Sequence, residues 1–512
     1  MSVGAGVGRL ASGPHPTLFR LLYEPALEHD LEVVLPQLLD VDAAHVVMAV
    51  TRGLLPAEVG ASLLSVNREL AQAIAAGKQP LAVPDIHRGM YFLYEGEYIR
   101  RLGPQVGGSA HVARSRNDIN ATIFRMRARS AVIELLERLH GFTAALSAFA
   151  RRHAGTLVCG FTHLQPAQPT TVGHVFSGVL GELTRTADWL AQAYPPLNRS
   201  PMGAAAGLGT SFPIDPHQVA SLLGFDAPID NSIDAVGSRD SSVHVLAPLA
   251  LLGTTLSRWA LDVQLWASAA YGFLDFGDDL VSTSSIMPQK RNAFVLENIR
   301  GQAVRATGAL MTTLMGLKNT PFTNSVEVSG EAASHLWAGA AASVQALELA
   351  TLLASQLIMR PQEATRFLEG KDTTMTALAD ALVSQLGLSF RTAHEVVGTL
   401  VARAPRGGVG EEALRSILPS LLSVPLTGAQ LDRLVPVLSP AGAVQAAAWG
   451  GGPSPAAVEG QLDRLDARRR ARQEMVDGWK ASLARARERL SGAVSETMAG
   501  SAPRGENRET TR

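Results

Sequence analysis

The sequence predicts an all-α protein: a central bundle of long helices flanked by smaller helical domains. Three observations predict it. Aromatic residues are only 5% of the 512-residue chain and apolar residues 46%, with Ala, Leu and Gly abundant. That composition suits closely packed helices better than a β-sandwich. Leu135, Leu139, Phe142, Leu146 and Phe149 step by four and three, the seam of a helix packed lengthwise on others. Such stretches recur as five long helices between roughly Asn117 and Met359, with only short polar breaks between them.

Taken in order, residues 1–114 read as an N-terminal helical domain, with a Gly-rich start (1–14) expected to be poorly ordered. From Leu18 to about Gln105 short amphipathic helices are expected, broken at Pro25, Pro36, Pro56, Pro80 and Pro84, with helices over Ala43–Arg52 and Leu63–Ile74. Residues 115–360 hold the bundle. Its helices are expected at about Asn117–Ala154, Thr170–Ala193, Ser241–Ala270, Ala293–Leu317 and Val326–Met359, with a polar connector at Gly160–Pro169 and a loop at Pro201–Pro216. Their surfaces are apolar over too much of the circumference for a lone bundle, so part of each is expected to pack on other subunits. Residues 361–490 read as a third, smaller helical domain ending in a charged amphipathic helix, Asp466–Leu490, and 491–512 as a disordered tail.

Bulk chemistry excludes several functions. The formal net charge is −1, from 45 basic and 46 acidic residues, so no basic face for nucleic acid is expected. A single cysteine, Cys159, precludes an internal disulfide, fits a reducing cytoplasm, and follows Leu157-Val158 like a core filler. Met1 to Pro14 lacks the pattern of a signal peptide. The apolar run Val243–Val263 is interrupted by His244, Arg258 and Asp262, so a bundle helix is expected there and no membrane span.

Chemistry concentrates in three polar loops that introduce or link the long helices. They carry Ser115, Arg116 and Asn117; Thr162 and His163; and Ser284, Lys290 and Asn292. The last lies in Val281–Asn292, where small and hydroxyl residues precede a Met-Pro turn and a helix start. Such a loop can present a hydroxyl, an ammonium, an amide and free backbone N–H groups to one anion. Together these side chains suit a dicarboxylate: charge-assisted donors for carboxylates, and a titratable group for proton transfer. No metal-ligand spacing, Walker loop or GxSxG elbow is present.

The segments HVARSRND, GFTHLQPAQPTTVGH, NSIDAVGSRD and STSSIMPQKRN resemble the signatures of the argininosuccinate lyase branch of the fumarase/aspartase superfamily. RTAHEVVG and GGPSPAAVEGQL resemble that branch's C-terminal segments, so the resemblance runs from about Ala43 to Leu465. It implies a three-domain all-α subunit, a homotetramer with its central helices in one large bundle, and active sites built from loops of different subunits. It also implies elimination of fumarate from a succinyl-amine without metal or organic cofactor. By the family pattern Ser284 is the base that takes the Cβ proton, and Lys290 and Asn292 hold one carboxylate. Ser115, Asn117 and Thr162 grip the succinyl part, and Arg116, Gln165, Ser285 and Met287 complete the binding set. His163 matches the active-site histidine and Glu297 the carboxylate that pairs with it; the general acid stays open.

The sequence departs from the family at the other half of the substrate. Where argininosuccinate-cleaving members carry a segment like YNRDxQEDK, this chain reads Thr323-Asn324-Ser325-Val326-Glu327-Val328-Ser329-Gly330-Glu331-Ala332. Where D-I-x-G-S-x-A-H is usual, Leu38 and Asp42 replace the Asp and Ser. Donors for the fumarate half are kept and those for the arginine half are lost, so a different amine is expected. The pattern resembles an ethylenediamine-disuccinate lyase, or an enzyme of specialised metabolism, with Asp42, Asn324, Glu327 and Glu331 as a distal pocket offering carboxylates to a cationic amine. Two alternatives stay open: argininosuccinate lyase proper, and an inactive structural oligomer of the same fold.

Overall fold

The computed structural model describes residues 12–500 apart from Arg406 and Val424. The expected poorly ordered start and tail therefore lie largely outside the described residues. The bundle helices run Arg116–Arg152, Val172–Gln192, Asp240–Ala267, Phe294–Leu317 and Ala332–Gln356, and are called the first to fifth below. Their shared core includes Leu139, Phe142, Phe149, Leu183, Leu252, Trp259, Ile299 and Leu336. Phe142 meets Trp259 edge to face with ring centroids 5.0 Å apart. Small residues set how closely the helices approach. A Cβ at Gly253 on the third helix would sit 2.7 Å from the carbonyl oxygen of Ala303 on the fourth.

Two further apolar cores flank the bundle. One joins Leu35–Ala49, Leu63–Leu70 and Leu93–Tyr98 to Ile119, Ile123 and Met126 of the first bundle helix. The other gathers Leu378, Leu382, Leu400, Leu414 and Leu434.

Several expectations are corrected. Pro25 and Pro36 do not break the N-terminal helix, which runs Pro16–Thr51. A π turn precedes each proline, Phe19–Tyr23 and Asp30–Val34, so the helix absorbs the missing N–H and the ring by widening one turn. The connector at Gly160–Pro169 is an antiparallel hairpin, Leu157–Thr162 paired with Gln165–Thr171. The charged helix begins earlier and ends later than expected, spanning Pro455–Ala499, so 491–499 is helical. It leaves the third core altogether: Val458, Leu462 and Val476 join the bundle core and Leu490 the N-terminal one. Tyr194 and Trp479 stack with centroids 3.9 Å apart along this contact.

Two helices, Pro16–Thr51 and Glu327–Gln356, are long and apolar enough to cross a membrane, but 67% and 50% of their apolar windows are buried within the fold. Cys159 is fully buried, in the position of a core filler.

Candidate active site

The start of the first bundle helix organises one group of site residues. Ser115 is its N-cap: the Asn117 N–H donates to Ser115 Oγ at 3.3 Å, and the Ser115 N–H donates to Asp118 at 3.0 Å. The other Asp118 oxygen accepts from the N–H groups of Ala205 (2.8 Å) and Gly203 (3.4 Å). The 201–206 loop is thereby tied to the helix start. Burial pushes the Asp118 carboxyl up to about 6, although three backbone N–H groups favour its charged form. Asn117 Nδ2 donates to the Ala206 carbonyl at 3.1 Å and Asn117 Oδ1 accepts from Asn324 at 3.0 Å. Two residues predicted from separate segments are thus brought together. Arg116 is exposed and lies over the Phe92 ring at 4.7 Å. Glu327 and Glu331 bound a π turn and are exposed.

Asp42 is not part of an open pocket. It is 2% exposed, its carboxylate paired with the Arg114 guanidinium and accepting from the Tyr94 hydroxyl, which lies 2.8 Å from the Tyr98 hydroxyl. Nearby, His45 Nε2 meets the Val112 carbonyl at 2.9 Å, and burial with the adjacent Arg114 charge drives the imidazole down to about 3. Asp42 and His45 therefore clamp the segment leading into Ser115 onto the N-terminal helix. The expectation that Asp42 offers a carboxylate to an amine is corrected: Arg114 takes that charge.

The second group sits on the hairpin after the first bundle helix. His163 and Leu164 occupy its two-residue tip with φ of 52° and 59°, flanked by the Thr162–Gln165 pair. Positive φ at both positions is the geometry of a type I′ turn, which non-glycine residues adopt at a cost. Thr162, His163, Leu164 and Gln165 are all exposed. Phe161 anchors the hairpin against Tyr271 and Phe367, with centroids 5.5 and 5.7 Å away.

The third group lies on a small hairpin in which Ser282 pairs with Asn292 and Thr283 with Arg291. Beyond this ladder, Ser284 Oγ accepts from the N–H groups of Met287 (3.1 Å) and Ile286 (3.3 Å). Two donors aimed at a hydroxyl oxygen favour its deprotonated form. The N–H groups polarising Ser284 thus belong to the loop itself. Ser285, Met287 and Lys290 stand exposed on the same loop. Arg291 secures its base, donating to the Phe276 carbonyl at 3.0 Å and to Asp278 at 2.8 Å. Glu297, in the first turn of the fourth helix, accepts from Gln264 at 3.2 Å. Among the described residues no ion pair joins it to His163, so within one chain the expected pairing is not made.

The three groups fall at opposite ends of the bundle. The first helix has 37 residues, so it spans roughly 55 Å. Ser115 and Asn117 stand at its start, where the Asn324 loop also lies and Arg127 stacks on Trp337 of the fifth helix. The His163 hairpin follows its other end. Phe161 meets Tyr271 there, just beyond the third helix, and Gln264 of that helix reaches Glu297 beside the Ser284 loop. Among the described residues no cluster of His, Cys, Asp or Glu has the grouping to hold a metal ion.

Sequence reasoning missed the arginines around the start of the first helix. Arg88, Arg127 and Arg239 line a cavity of about 490 Å³ with Arg116 and Leu38. Arg239 lies within the NSIDAVGSRD segment, just ahead of a very apolar helix, and that position was its one signal.

The chain resembles known proteins over most of its length. Residues 38–308, more than half of the chain, match a lyase family model, and 372–444 match the argininosuccinate lyase C-terminal model. The chain is 32% identical to argininosuccinate lyase 1 of Shouchella clausii over 486 residues, covering 93% of this chain and 96% of that one. It is 37% identical to argininosuccinate lyase of Halobacterium salinarum, covering 84% and 87%. Among solved structures it resembles EDDS lyase in complex with formate, at TM-score 0.82 and 27% identity over 96% of this chain and 98% of the other. It also resembles an EDDS lyase variant with bound fumarate, at TM-score 0.81 and 28% identity over 92% and 93%. The chain belongs to the fumarase/aspartase superfamily, of the argininosuccinate lyase type, and is a fumarate-releasing carbon–nitrogen lyase.

Proposed function

We propose that the enzyme eliminates fumarate reversibly from an N-substituted aspartate whose amine is not arginine, at sites shared between the subunits of a homotetramer. The observation that carries the amine assignment is the buried Asp42–Arg114 pair. The far end of argininosuccinate bears an α-ammonium group, which needs a carboxylate. Asp42 is taken by Arg114, Leu38 is apolar, and Glu327 and Glu331 point to solvent.

The chemistry follows from the charges. The Cβ proton lies beside a carboxylate, so its removal yields a dianionic aci-carboxylate that fixed donors must stabilise as the charge develops. Ser284 takes the proton, with the Ile286 and Met287 N–H groups lowering the cost of its alkoxide. Lys290 and Asn292 hold a substrate carboxylate, with Ser285 and Met287 beside them. Ser115, Asn117, Arg116, Thr162 and Gln165 grip the succinyl part, and His163 serves the proton transfers with a carboxylate such as Glu297 to orient it. The first helix, roughly 55 Å long, lies between Ser115 at its start and the hairpin that follows its end, which supports sharing between subunits. Exposed Val304, Met311 and Met315 on the fourth helix, spaced seven and four apart, supply an apolar face for self-association.

The test incubates purified enzyme with fumarate and a panel of amines, and separately with argininosuccinate, following fumarate absorbance. Turnover of other amines with little cleavage of argininosuccinate is expected; fast cleavage of argininosuccinate alone overturns the assignment. Ser284→Ala should lower kcat by about a hundredfold or more, the range of a lost general base, with the fold intact by circular dichroism. An unchanged rate would return the reading to an inactive scaffold or to another base.

A further inference from the structure

We propose that the cavity beside Arg116 is an anion-selective subsite that receives a carboxylate at the far end of the amine substituent. This rests on the elimination reading above and adds the charge of its unidentified half. The cavity, about 490 Å³, has the size of a small-molecule site. It runs along one face of the first bundle helix, through Arg116, Asn120, Ile123 and Arg127. Arg116 links the two regions: it stands between Ser115 and Asn117 in the chain, and it walls the cavity.

Four guanidinium groups from three separate segments wall it: Arg116 and Arg127 on the first bundle helix, with Arg88 and Arg239. Among the described residues none of them forms an ion pair. Arg88 donates to the Ser12 carbonyl at 2.6 Å, and Arg127 lies 4.0 Å over the Trp337 ring. Arg239 is the strongest sign of a missing partner. It is 5% exposed, donates only to the Val236 and Ser238 carbonyls (2.9 and 2.6 Å), and its buried Nε has no partner at all. Buried guanidinium without a carboxylate is costly, and a bidentate anion offsets that cost. The wall's titratable groups are otherwise His29, Tyr23, Tyr91 and one carboxylate, Asp30, whose charge burial disfavours. Asp30 is the one carboxylate in that lining against four guanidinium groups, and Leu38 adds none. A cationic tail would meet like charges, and a carboxylate would meet its complement.

The experiment compares three N-substituted aspartates that differ only at the tip: N-(2-carboxyethyl)-, N-propyl- and N-(3-aminopropyl)aspartate. Fumarate release is measured on the full-length enzyme. The carboxylate tip should exceed the propyl tip in kcat/KM by about tenfold or more, with the ammonium tip lowest. Arg88→Gln and Arg127→Gln, neither of which breaks an ion pair, should each shrink the carboxylate-to-propyl ratio several-fold. Arg88→Lys and Arg127→Lys, which keep the charge, should restore most of it. Equal or better cleavage of the propyl or ammonium compound overturns the subsite and leaves the elimination reading standing. So does a ratio that survives both glutamine variants. Cleavage of argininosuccinate with none of the three accepted overturns the assignment of a non-arginine amine, and the subsite with it.

Discussion

At Asp42 one carboxylate serves the Arg114 guanidinium and the Tyr94 hydroxyl, all of them buried. Removing it leaves Arg114 charged in a dry site, and breaking a buried pair from one side costs about 3–5 kcal/mol. Asp42→Ala should therefore destabilise the fold by that order in denaturant unfolding; a change within error would mean the pair is not buried in solution. His163 and Leu164 tell the opposite story, with strain kept at an exposed hairpin tip. Leu164 is 70% exposed at φ 59°, so Leu164→Gly should stabilise the chain by about 1 kcal/mol, read as a rise in Tm. Lost stability would show that the leucine side chain packs on another subunit. The residue types of the site were legible because carboxylate chemistry needs particular donors. Which donors are free was not legible, since Asp42 and Arg114 lie far apart in sequence and only the fold joins them.

Elements were legible where one periodicity ran unopposed. The five bundle helices appear close to the expected limits because their apolar seams repeat over many turns. The His163 hairpin is hidden in the sequence because Pro166 and Pro169 in its second strand argue against a ladder; it holds as an isolated two-stranded ribbon where prolines are tolerated. Proline also misled at Pro25 and Pro36, where local π turns rescue the helix. Contacts between elements leave little slack. Because a Cβ at Gly253 would strike the Ala303 carbonyl, Gly253→Ala should cost about 1–3 kcal/mol by overpacking, despite its better helix propensity. Thermal unfolding of the variant checks this; a raised Tm would show that the two helices can separate freely. The C-terminal GGPSP segment acts at this scale too. His174 Nε2 meets the Gly451 carbonyl at 2.9 Å and Thr171 Oγ1 donates to the Pro453 carbonyl, locking the last helix against the second.

For the whole molecule, the proposed sharing of sites between subunits can be tested by mixing variants. Ser284→Ala and Asn117→Ala variants, each inactive as homo-oligomers, should regain a measurable fraction of activity when their subunits are dissociated and reassembled together. Each mixed assembly would contain some sites with both residues intact. No recovery, with mixing proven by mass, would place each site within one chain. The sign of charge in the distal cavity is a property of this scale as well. Its four arginines come from 88, 116, 127 and 239, and no window of sequence contains them all.

The last helix has a consequence for how the protein is made. Leu490 is part of the N-terminal core, with Ala493, Val494 and Met498 packed against it. During translation the residues around Leu35–Tyr98 leave the ribosome long before the segment around Leu490 that forms one wall of their core. Until that segment emerges the apolar surface stays open to water, so the nascent protein should depend on chaperones over that interval.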